Sequence, residues 1–394
     1  MDYVSLRDHR KTIVLGLDPR DPYHRSIIEG VLEYARGQDD WDLLVTPEPD
    51  ALRAHLDDGH AVSGIILFDP WQKSLTQGLP AETPVVLTLC AEAPPEHDGV
   101  SDDEAAIADM VVAYFREMGL ERLAFLDHLA PPSERRLAFA SSASQAGLEC
   151  HAYPPVGEPA PLNWHERTEA IGDWLERLAA RPETVGVFCF HVGEAQQLSI
   201  ACRKRGIAVP ERISILSCGG DDIECHLASP PLSTIDQGGD RLGFAAASRL
   251  AERLDGDNSP PRFVRFAPVG VVRRQSSDLL AVEDPHVAQA IRLIRQQAAE
   301  GASVTDITAQ VPVSRRRLDY AFERTVGRSI HQQIVHERLS HAKRLLLRTN
   351  LSLTEIAMRC GFTYPTRMSE AFRRHLAMTP SDYRRENRTS AMSA

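Results

Sequence analysis

The 394-residue sequence has no apolar run long enough to cross a membrane, and its first residues have no apolar core of the kind a secretory signal needs. A membrane span requires about 20 consecutive apolar residues, and a secretory signal requires a shorter apolar core. We therefore expect a cytoplasmic protein without membrane contact. An exported solute receptor is disfavoured for the same reason.

Cysteine is scarce and unpatterned. The seven cysteines are odd in number, lie mostly inside apolar runs, and include no close pair that would clip a metal. Catalytic and nucleotide-binding motifs are missing as well, since there is no Gly-x-Ser-x-Gly, no His-Glu-x-x-His and no glycine-rich phosphate loop after the first apolar run. We expect reduced thiols, no metal, no cofactor and no enzymatic activity.

Charge is strongly segregated along the chain. The formal net charge is -11, yet residues 286–394 carry 18 Lys and Arg against 9 Asp and Glu. A basic domain is the electrostatic requirement for binding the phosphate backbone of nucleic acid. We therefore predict that the last hundred or so residues contact DNA.

The first two thirds of the chain have the pattern of repeated βα units around a parallel sheet. From Thr12 to about Ala267, short β-branched runs alternate with longer segments of helical period. Continuous apolar runs are typical of strands that are buried on both faces. The predicted strands are 12–17, 64–68, 85–89, 123–126, 185–190 and 213–216.

Helices are predicted between these strands. One helix places Ile27, Ile28, Val31, Leu32 and Ala35 on a single apolar stripe, which should cover the sheet. Further helices are predicted at roughly 103–118, 166–180, 193–205 and 240–254.

After Ser276 the pattern changes to helical segments with hardly a strand-like run. Length and composition favour two or three globular domains. The predicted organisation is a tail at 1–11, an effector-binding domain at 12–276, a linker at 277–285, a DNA-binding domain at 286–388 and a tail at 389–394.

The basic domain contains two helix-turn-helix patterns. The first covers about 304–324, with Ser314 as the cap of a second helix that turns Leu318 and Phe322 inward. The second covers about 353–374, with Ile356, Ala357 and Phe372 inward. An amphipathic segment at about 330–348 connects them, so two reading heads could enter successive major grooves about 34 Å apart.

The second pattern resembles the AraC/XylS family of regulators. The resemblance is carried by Ile356-Ala357-x-x-Cys360-Gly361-Phe362, by Phe372-Arg373-Arg374, and by Thr379-Pro380-Ser381-Asp382-Tyr383-Arg384. The sequence departs from the family where it has Ala377 in place of a frequent Gly and Ile330 in place of a frequent Pro. Pro365 stands near the start of the second recognition helix, where proline is tolerated only in the first turn.

The resemblance assigns DNA contacts to both recognition helices. It implies base-facing positions at Arg316, Asp319 and Tyr320 in the first reader, and at Thr366, Ser369 and Glu370 in the second. Phosphate or groove-edge contacts are expected from the arginines at 315, 317, 367, 373 and 374. The full predicted set is Ser314, Arg315, Arg316, Arg317, Asp319, Tyr320, Tyr364, Thr366, Arg367, Ser369, Glu370, Arg373 and Arg374.

Nearly the whole chain is similar to xylose operon regulators, which join a LacI-like, periplasmic-binding-protein fold to an AraC-type end. Matching pieces include Tyr23-His24-Arg25-x-x-x-Glu29-Gly30-Val31 and Leu232-Ser233-Thr234-Ile235-x-Gln237-Gly238. The resemblance implies a two-lobed α/β sensor domain followed by an all-α domain with two helix-turn-helix units. A sensor of this type offers an effector cleft at the carboxyl ends of its strands.

The effector residues are predicted from polar groups near strand ends. Sugar sites need fixed carboxylates and amides, yet this chain has Val192 and Gly219-Gly220 where relatives carry Asp and Asp-Asn. Asp221 and Asp222 lie nearby and could substitute, and Gln237 is expected to brace the hinge. The predicted set is Asp18, Tyr23, Arg25, Asp69, Asp127, Arg135, Arg136, His191, Asp221 and Asp222.

These observations favour a transcription regulator that a small effector controls. The effector is expected to be polyhydroxylated or acidic and different from xylose, with xylose as the alternative, because Arg25, Arg135, Arg136 and His191 would suit a carboxylate. The expected partners are double-stranded operator DNA, a second copy of the chain in a homodimer, and RNA polymerase as a further candidate. The competing hypothesis is a DNA-binding protein with a degenerate, non-sensing pocket.

Overall fold

Apolar runs of the sequence form the centres of two six-stranded sheets. The computed structural model describes residues 10–57, 61–71, 83–128, 132–153, 163–278, 284–349 and 351–389. The strands within these ranges are β1 Lys11–Gly16, β2 Trp41–Val45, β3 Gly64–Phe68, β4 Val85–Thr88, β5 Asp98–Asp102, β6 Arg122–Leu126, β7 Glu149–Tyr153, β8 Val185–Cys189, β9 Ile213–Cys218, β10 Ser233–Asp236, β11 Phe263–Phe266 and β12 Gly270–Val272.

Each sheet forms the centre of one lobe. Lobe 1 has the strand order β11-β5-β4-β3-β1-β2, and lobe 2 has the order β12-β10-β9-β8-β6-β7. Neighbouring strands are parallel except for β12, which pairs antiparallel with β10. The sensor helices are α1 Pro22–Ala35, α2 Pro49–Asp57, α3 Glu104–Glu117, α4 Glu134–Gln145, α5 Trp164–Leu178, α6 Val192–Lys204, α7 Asp222–Leu227 and α8 Gly239–Leu254. This architecture confirms the predicted two-lobed α/β fold.

Three connections between the lobes lie together at the hinge. The chain passes from β5 to α3 at 102–104, from β10 to α8 at 236–239, and from β11 to β12 at 266–270. Asp103 caps α3, and Gly238 directly precedes α8 with a φ of 75°, in the left-handed region. A side-chain cap thus fixes the start of the first connection's helix, and a left-handed glycine turns the chain in the second connection.

Helix α1 buries most of the predicted stripe. Ile27 and Val31 are buried and Ile28 and Ala35 pack against the same core, whereas Leu32 stays 43% exposed and Gly30 is buried instead. The difference arises because α1 packs against α8 through two glycines, Gly30 and Gly243, which let the two backbones touch. Close backbone approach thus decides the orientation of the helix.

The helical domain consists of two units that share one long helix. Its helices are α9 Pro285–Gln297, α10 Val304–Ala309, α11 Arg315–Val326, α12 Ile330–Arg348, α13 Leu353–Arg359, α14 Pro365–Leu376 and α15 Pro380–Thr389. Ile330 and Ile334 of α12 lie in the core of the first unit, and Leu339, Ala342 and Leu346 lie in that of the second. We call α12 the connecting helix.

Both departures from the family pattern at α14 are accommodated by its ends. Pro365 is the first residue of the helix, where the missing amide hydrogen costs nothing. Ala377 follows the helix with a φ of 56°, in the left-handed region. The corresponding position after α11 is Gly327, with a φ of 71°.

Replacing Ala377 with glycine is expected to raise the free energy of unfolding of the helical domain by about 1 kcal/mol, because the left-handed conformation strains a residue that has a Cβ. Gly327→Ala should lower the free energy of unfolding by a similar amount. Urea unfolding of both variants measures the two effects. Shifts of the same sign in both would contradict this explanation.

The predicted domain boundaries lie where the structure describes few residues. Residues 279–283 of the predicted linker, 1–9 of the first tail and 390–394 of the last lie outside the described residues. No helix among the described residues is long and apolar enough to cross a membrane.

Candidate effector cleft and DNA-binding surface

A cleft of about 710 Å³ lies between the lobes beside the hinge. Its walls are formed by residues just beyond the carboxyl ends of β3, β4, β5, β8 and β9. Leu89, on one wall, has a φ of 60°, which is strained for a residue with a branched side chain. The predicted cleft is confirmed, and we call it the interlobe cleft.

A buried carboxylate at the end of β5 organises the hinge side of the interlobe cleft. Asp102 accepts hydrogen bonds from Tyr23 Oη at 2.5 Å and from Gln237 Nε2 at 2.6 Å. These partners come from α1 and from the segment after β10, so one side chain ties together both lobes. Burial, with Glu104 adding to it, raises the pKa of Asp102 above its usual value. Gln237 thus braces the hinge as expected.

Arg135 of α4 supplies the positive charge beside the carboxylates of Asp102 and Glu104. Its Nε and Nη2 donate to the two oxygens of Glu104 at 2.7 and 2.8 Å, and its Nη1 donates to the Phe190 carbonyl at 2.9 Å. The guanidinium also lies over the Phe190 ring, 4.9 Å from its centroid. All sides of Arg135 are therefore engaged by the protein itself.

The charge that lines the interlobe cleft is predominantly negative. Among the lining residues that the structure describes, two arginines face five carboxylates, those of Asp21, Asp102, Glu104, Glu134 and Glu224. His191 also lines the cleft, and burial lowers its pKa, which favours the neutral imidazole. An anion would be repelled here, whereas hydroxyl groups would find acceptors.

Glu194 of α6 is a buried carboxyl group behind the cleft wall. One of its oxygens accepts the His191 amide hydrogen at 3.3 Å, and its side chain completes a capping box with His191. Burial raises its pKa from an ordinary value of 4.5 to about 8. The folded protein therefore holds a proton here that the unfolded chain releases at lower pH.

We expect the sensor to lose stability as pH rises from about 4.5 to 8, because the raised pKa of Glu194 makes the folded state retain a proton across that window. Glu194→Gln should remove about 1–4 kcal/mol of this loss. Urea unfolding of both proteins at pH 5.5 and 8 measures the difference, since the other titrating groups are common to both. Parallel pH profiles would contradict the assignment.

The two recognition helices, α11 and α14, bury and expose equivalent positions. Leu318 and Phe322 are buried in α11, as are Met368 and Phe372 in α14, fifty residues later. On each helix, the side chains two positions before the two buried residues are exposed and lie on one face. These are Arg316 and Tyr320 of the first helix and Thr366 and Glu370 of the second.

Each exposed stripe carries an arginine beside an acid. Arg315 lies 3.5 Å from Asp319, and Arg367 lies 3.2 Å from Glu370. A groove of about 480 Å³ separates the second recognition helix from the connecting helix, and its basic lining residues are His331, Arg338, Arg367, Arg374 and His375. The surface offers cations to phosphate and polar groups to base edges.

Two family models match consecutive parts of the chain. The periplasmic binding protein-like domain matches residues 112–277, and the helix-turn-helix domain matches residues 307–386. The first range runs from within α3 to the end of the sensor and includes two of the three hinge connections, and the second covers most of both helix-turn-helix units.

Relatives match across both domains. The xylose operon regulatory protein of Escherichia coli K12 is 29% identical over 396 residues, covering 96% of this chain and 98% of the relative. That of Haemophilus influenzae is 29% identical and covers 94% and 97%. The structure of the xylose-binding transcription activator xylR aligns with a TM-score of 0.58 at 26% identity, covering 95% of this chain and 98% of the other.

The chain joins a periplasmic-binding-protein-like sensor to an AraC-type helix-turn-helix domain, and along nearly its whole length it is similar to sugar-sensing transcription regulators. A LacI family regulator from Arthrobacter sp. FB24, solved in complex with lactose, shares the sensor fold with a TM-score of 0.55 at 21% identity, over 68% of this chain. The sensor fold therefore also occurs in a regulator of the LacI family.

Among the predicted effector residues, Tyr23, Arg135 and His191 line the interlobe cleft of the regulator. Tyr23 and Arg135 both lie next to Asp102, with Arg135 Nη2 at 3.7 Å from its Oδ2. Arg135 does not face the cleft as a free cation, because Glu104 and the Phe190 carbonyl occupy its donors.

The remaining predicted effector residues lie outside the interlobe cleft, and most are held by other partners. Asp18 binds Arg20, and Asp69 begins a short 3-10 helix. The others form pairs: Asp127 with Arg136 at 3.3 Å, Arg25 with Asp221 at 2.6 Å, and Asp222 with Arg274.

Most of the polar and aromatic lining of the interlobe cleft was not predicted from the sequence. Asp102, Glu104 and Phe190 were not predicted, nor were His24 and Phe68, whose rings are in edge contact at 4.7 Å. The available signal was the acidic run Asp102-Asp103-Glu104, in which Asp103 caps the helix that Glu104 begins. On the DNA-binding side, Ser314 lies at the predicted cap position before α11, but the prediction that its side chain caps the helix is wrong, because this side chain makes no capping hydrogen bond.

Proposed function

We propose that the regulator binds a neutral sugar in the interlobe cleft and that this binding controls its contacts with operator DNA. The observation that carries the proposal is the buried hinge carboxylate Asp102, tied to both lobes and facing an open cleft. Sugar hydroxyls donate hydrogen bonds to such acceptors, and aromatic rings such as Phe190 offer apolar surface to the sugar ring. The names of the relatives support xylose as the first sugar to test.

An acidic effector is disfavoured by the charges of the interlobe cleft. The predicted carboxylate partners were Arg25, Arg135, Arg136 and His191. Of the three arginines in that set, Arg135 alone lines the cleft, and its guanidinium is already bound by Glu104. A non-sensing pocket is disfavoured as well, because Val192 packs beside Gly220 on the wall and leaves the cleft open.

Titration calorimetry of the full chain tests the effector class. D-Xylose is expected to bind, and D-glucuronate is expected to bind at least about tenfold more weakly because its carboxylate meets the acidic lining. A preference for the uronate would contradict the proposal. An absence of binding by either, or by other pentoses and hexoses, would favour the non-sensing alternative.

The DNA-binding part of the proposal predicts two kinds of variant. Arg316→Ala should lower operator affinity by about 1–3 kcal/mol and relax preference at one base position. Arg373→Ala should weaken binding to all sequences about equally and reduce its salt dependence. Binding of the full chain to a randomised DNA pool at several salt concentrations measures both. Equal sequence preference in the two variants would contradict this assignment.

We also propose that the regulator acts as a homodimer on paired half-sites. One chain's two recognition helices would cover two successive grooves, and a dimer would double that footprint. RNA polymerase remains a candidate partner. A footprint confined to one groove would contradict the paired arrangement.

A further inference from the structure

The connecting helix α12 is attached to lobe 2 through a charged contact near its middle. Arg273, the residue after β12, places Nη1 3.3 Å from Glu337 Oε1. Its Nη2 lies 3.7 Å from Glu117 of α3, and its guanidinium lies 5.0 Å from the centroid of the Tyr114 ring. Because Glu337 belongs to the helical domain and Glu117 to lobe 2, Arg273 joins the two.

The contact is shielded from water and supported on both sides. The side chain of Glu337 is only 15% exposed and that of Arg273 is 26% exposed. Gln333 donates a second hydrogen bond to Glu337 at 3.0 Å. On the sensor side, the Tyr114 hydroxyl is 2.7 Å from Ser277 Oγ. Glu337 is therefore held by a neighbour in the helical domain, and the Tyr114 ring beside Arg273 is held by a neighbour in the sensor.

The carboxyl-terminal half of the connecting helix faces open space instead. A second cavity of about 570 Å³ lies there between the hinge and the helix, and we call it the junction cavity. His341 and Arg344 line it from the connecting helix, Arg25 and Glu29 from lobe 1, and Asp221 from lobe 2. The connecting helix thus has a fixed middle and a half that faces both lobes across a gap.

The junction cavity and the interlobe cleft share a wall. Four residues line both spaces, namely Tyr23, Gly219, Gly220 and Gln237. Two of them, Tyr23 and Gln237, donate hydrogen bonds to Asp102. A movement of the lobes that changes the cleft must therefore change the junction cavity. The attachment at Arg273 lies outside this wall.

We propose that Arg273 is a positioning residue that holds the connecting helix on lobe 2 through Glu337, so that the DNA-binding domain moves with lobe 2 when the lobes move. The connecting helix fixes the separation of the two recognition helices. The Arg273–Glu337 contact holds the middle of this helix on lobe 2, and an ion pair between Arg295 of α9 and Asp278 joins the domains at a second point. The response to an effector rests on the proposed function, whereas the attachment itself does not.

The attachment is tested first in the effector-free full chain by small-angle X-ray scattering. Glu337→Lys places a cation beside Arg273 and Arg295, whose pKa is already lowered by burial and by Arg273. We expect the domains to separate and the radius of gyration to rise. The double variant that combines Glu337→Lys with Arg273→Glu restores an opposite-charge pair, and it should recover most of the compact scattering profile. Glu117→Gln, which leaves the interdomain pair intact, is the matched control.

The functional arm measures affinity for an operator selected with the wild-type protein, with and without D-xylose. Glu337→Lys should reduce the effect of D-xylose on operator affinity by about fivefold or more, while calorimetry shows D-xylose affinity in the absence of DNA within about twofold of wild type. The double variant should recover much of the response, and Glu117→Gln should keep it.

The outcomes separate this inference from the proposed function. Unchanged scattering by Glu337→Lys, or no recovery in the double variant, would overturn the attachment. If D-xylose has no effect on the wild-type protein, the sugar proposal fails while the scattering comparison still decides the attachment. A response to D-xylose that survives in Glu337→Lys despite separated domains would overturn the positioning role.

Discussion

Gly30→Ala is expected to destabilise the sensor domain by about 3 kcal/mol or more. A Cβ at residue 30 would lie 1.8 Å from the backbone carbonyl oxygen of Asp240. Backbone atoms cannot rotate away as a side chain can, so α1 and α8 must separate, and the cost exceeds that of ordinary overpacking. Since α1 carries Tyr23 and α8 follows Gln237, sugar binding should weaken as well.

Urea unfolding followed by tryptophan fluorescence measures this effect. Gly243→Ala should be equally damaging, because its Cβ would lie 1.9 Å from the Ile27 carbonyl oxygen. Gly172→Ala in α5 is the matched control, because the three atoms nearest to its Cβ would all belong to the guanidinium of Arg205, at the end of a long side chain rather than in a backbone. The control should change stability by less than about 1 kcal/mol, and an equal loss in all three would refute the explanation.

The same glycine contact shows where periodicity fails as a predictor. The apolar stripe of α1 correctly predicted a helix, yet it placed Leu32 inward, where the structure leaves it 43% exposed. Periodicity counts apolar side chains, whereas Gly30 contributes to packing by having none. The partner glycine lies more than two hundred residues away, so no local pattern could reveal the contact.

Central strands were predictable and edge or hinge strands were not. The runs at β1, β3, β4, β6, β8 and β9 are continuously apolar, and each was predicted to within two residues at either end. The strand β5, with the sequence Asp-Gly-Val-Ser-Asp, is fully buried but mostly polar or small. It was missed because its carboxylates are satisfied by partners from distant parts of the chain.

The effector residues were harder to predict than the DNA-binding residues. The recognition helices form local patterns, and the equivalent burial of α11 and α14 follows from the sequence within each helix. The interlobe cleft is assembled from many segments, so its polar groups could be named only by their closeness to strand ends. Arg135 and Arg136 are adjacent and equally buried, yet one lines the cleft and the other binds Asp127 behind it.

That adjacency supplies the sharpest test of the cleft. Arg135→Met removes the cation that Glu104 binds through two hydrogen bonds and that lies 3.7 Å from Asp102. Breaking a buried ion pair costs about 3–5 kcal/mol because the remaining charge stays unpaired. Without this cation the pKa of Asp102 should rise further, so the group becomes protonated and offers fewer acceptors to a hydroxyl. We expect D-xylose affinity to fall at least about tenfold, which is about 1.4 kcal/mol.

Arg136→Met is the matched control for this experiment. It removes an arginine of the same 6% exposure that pairs with fully buried Asp127, away from the interlobe cleft. Both variants should therefore be destabilised in urea by similar amounts, while only Arg135→Met should lose affinity for D-xylose in calorimetry. Equal losses of affinity would mean that Arg135 acts only through folding. Unchanged affinity in Arg135→Met would place the sugar elsewhere, because the carboxylates that are proposed to receive its hydroxyls depend on this one cation.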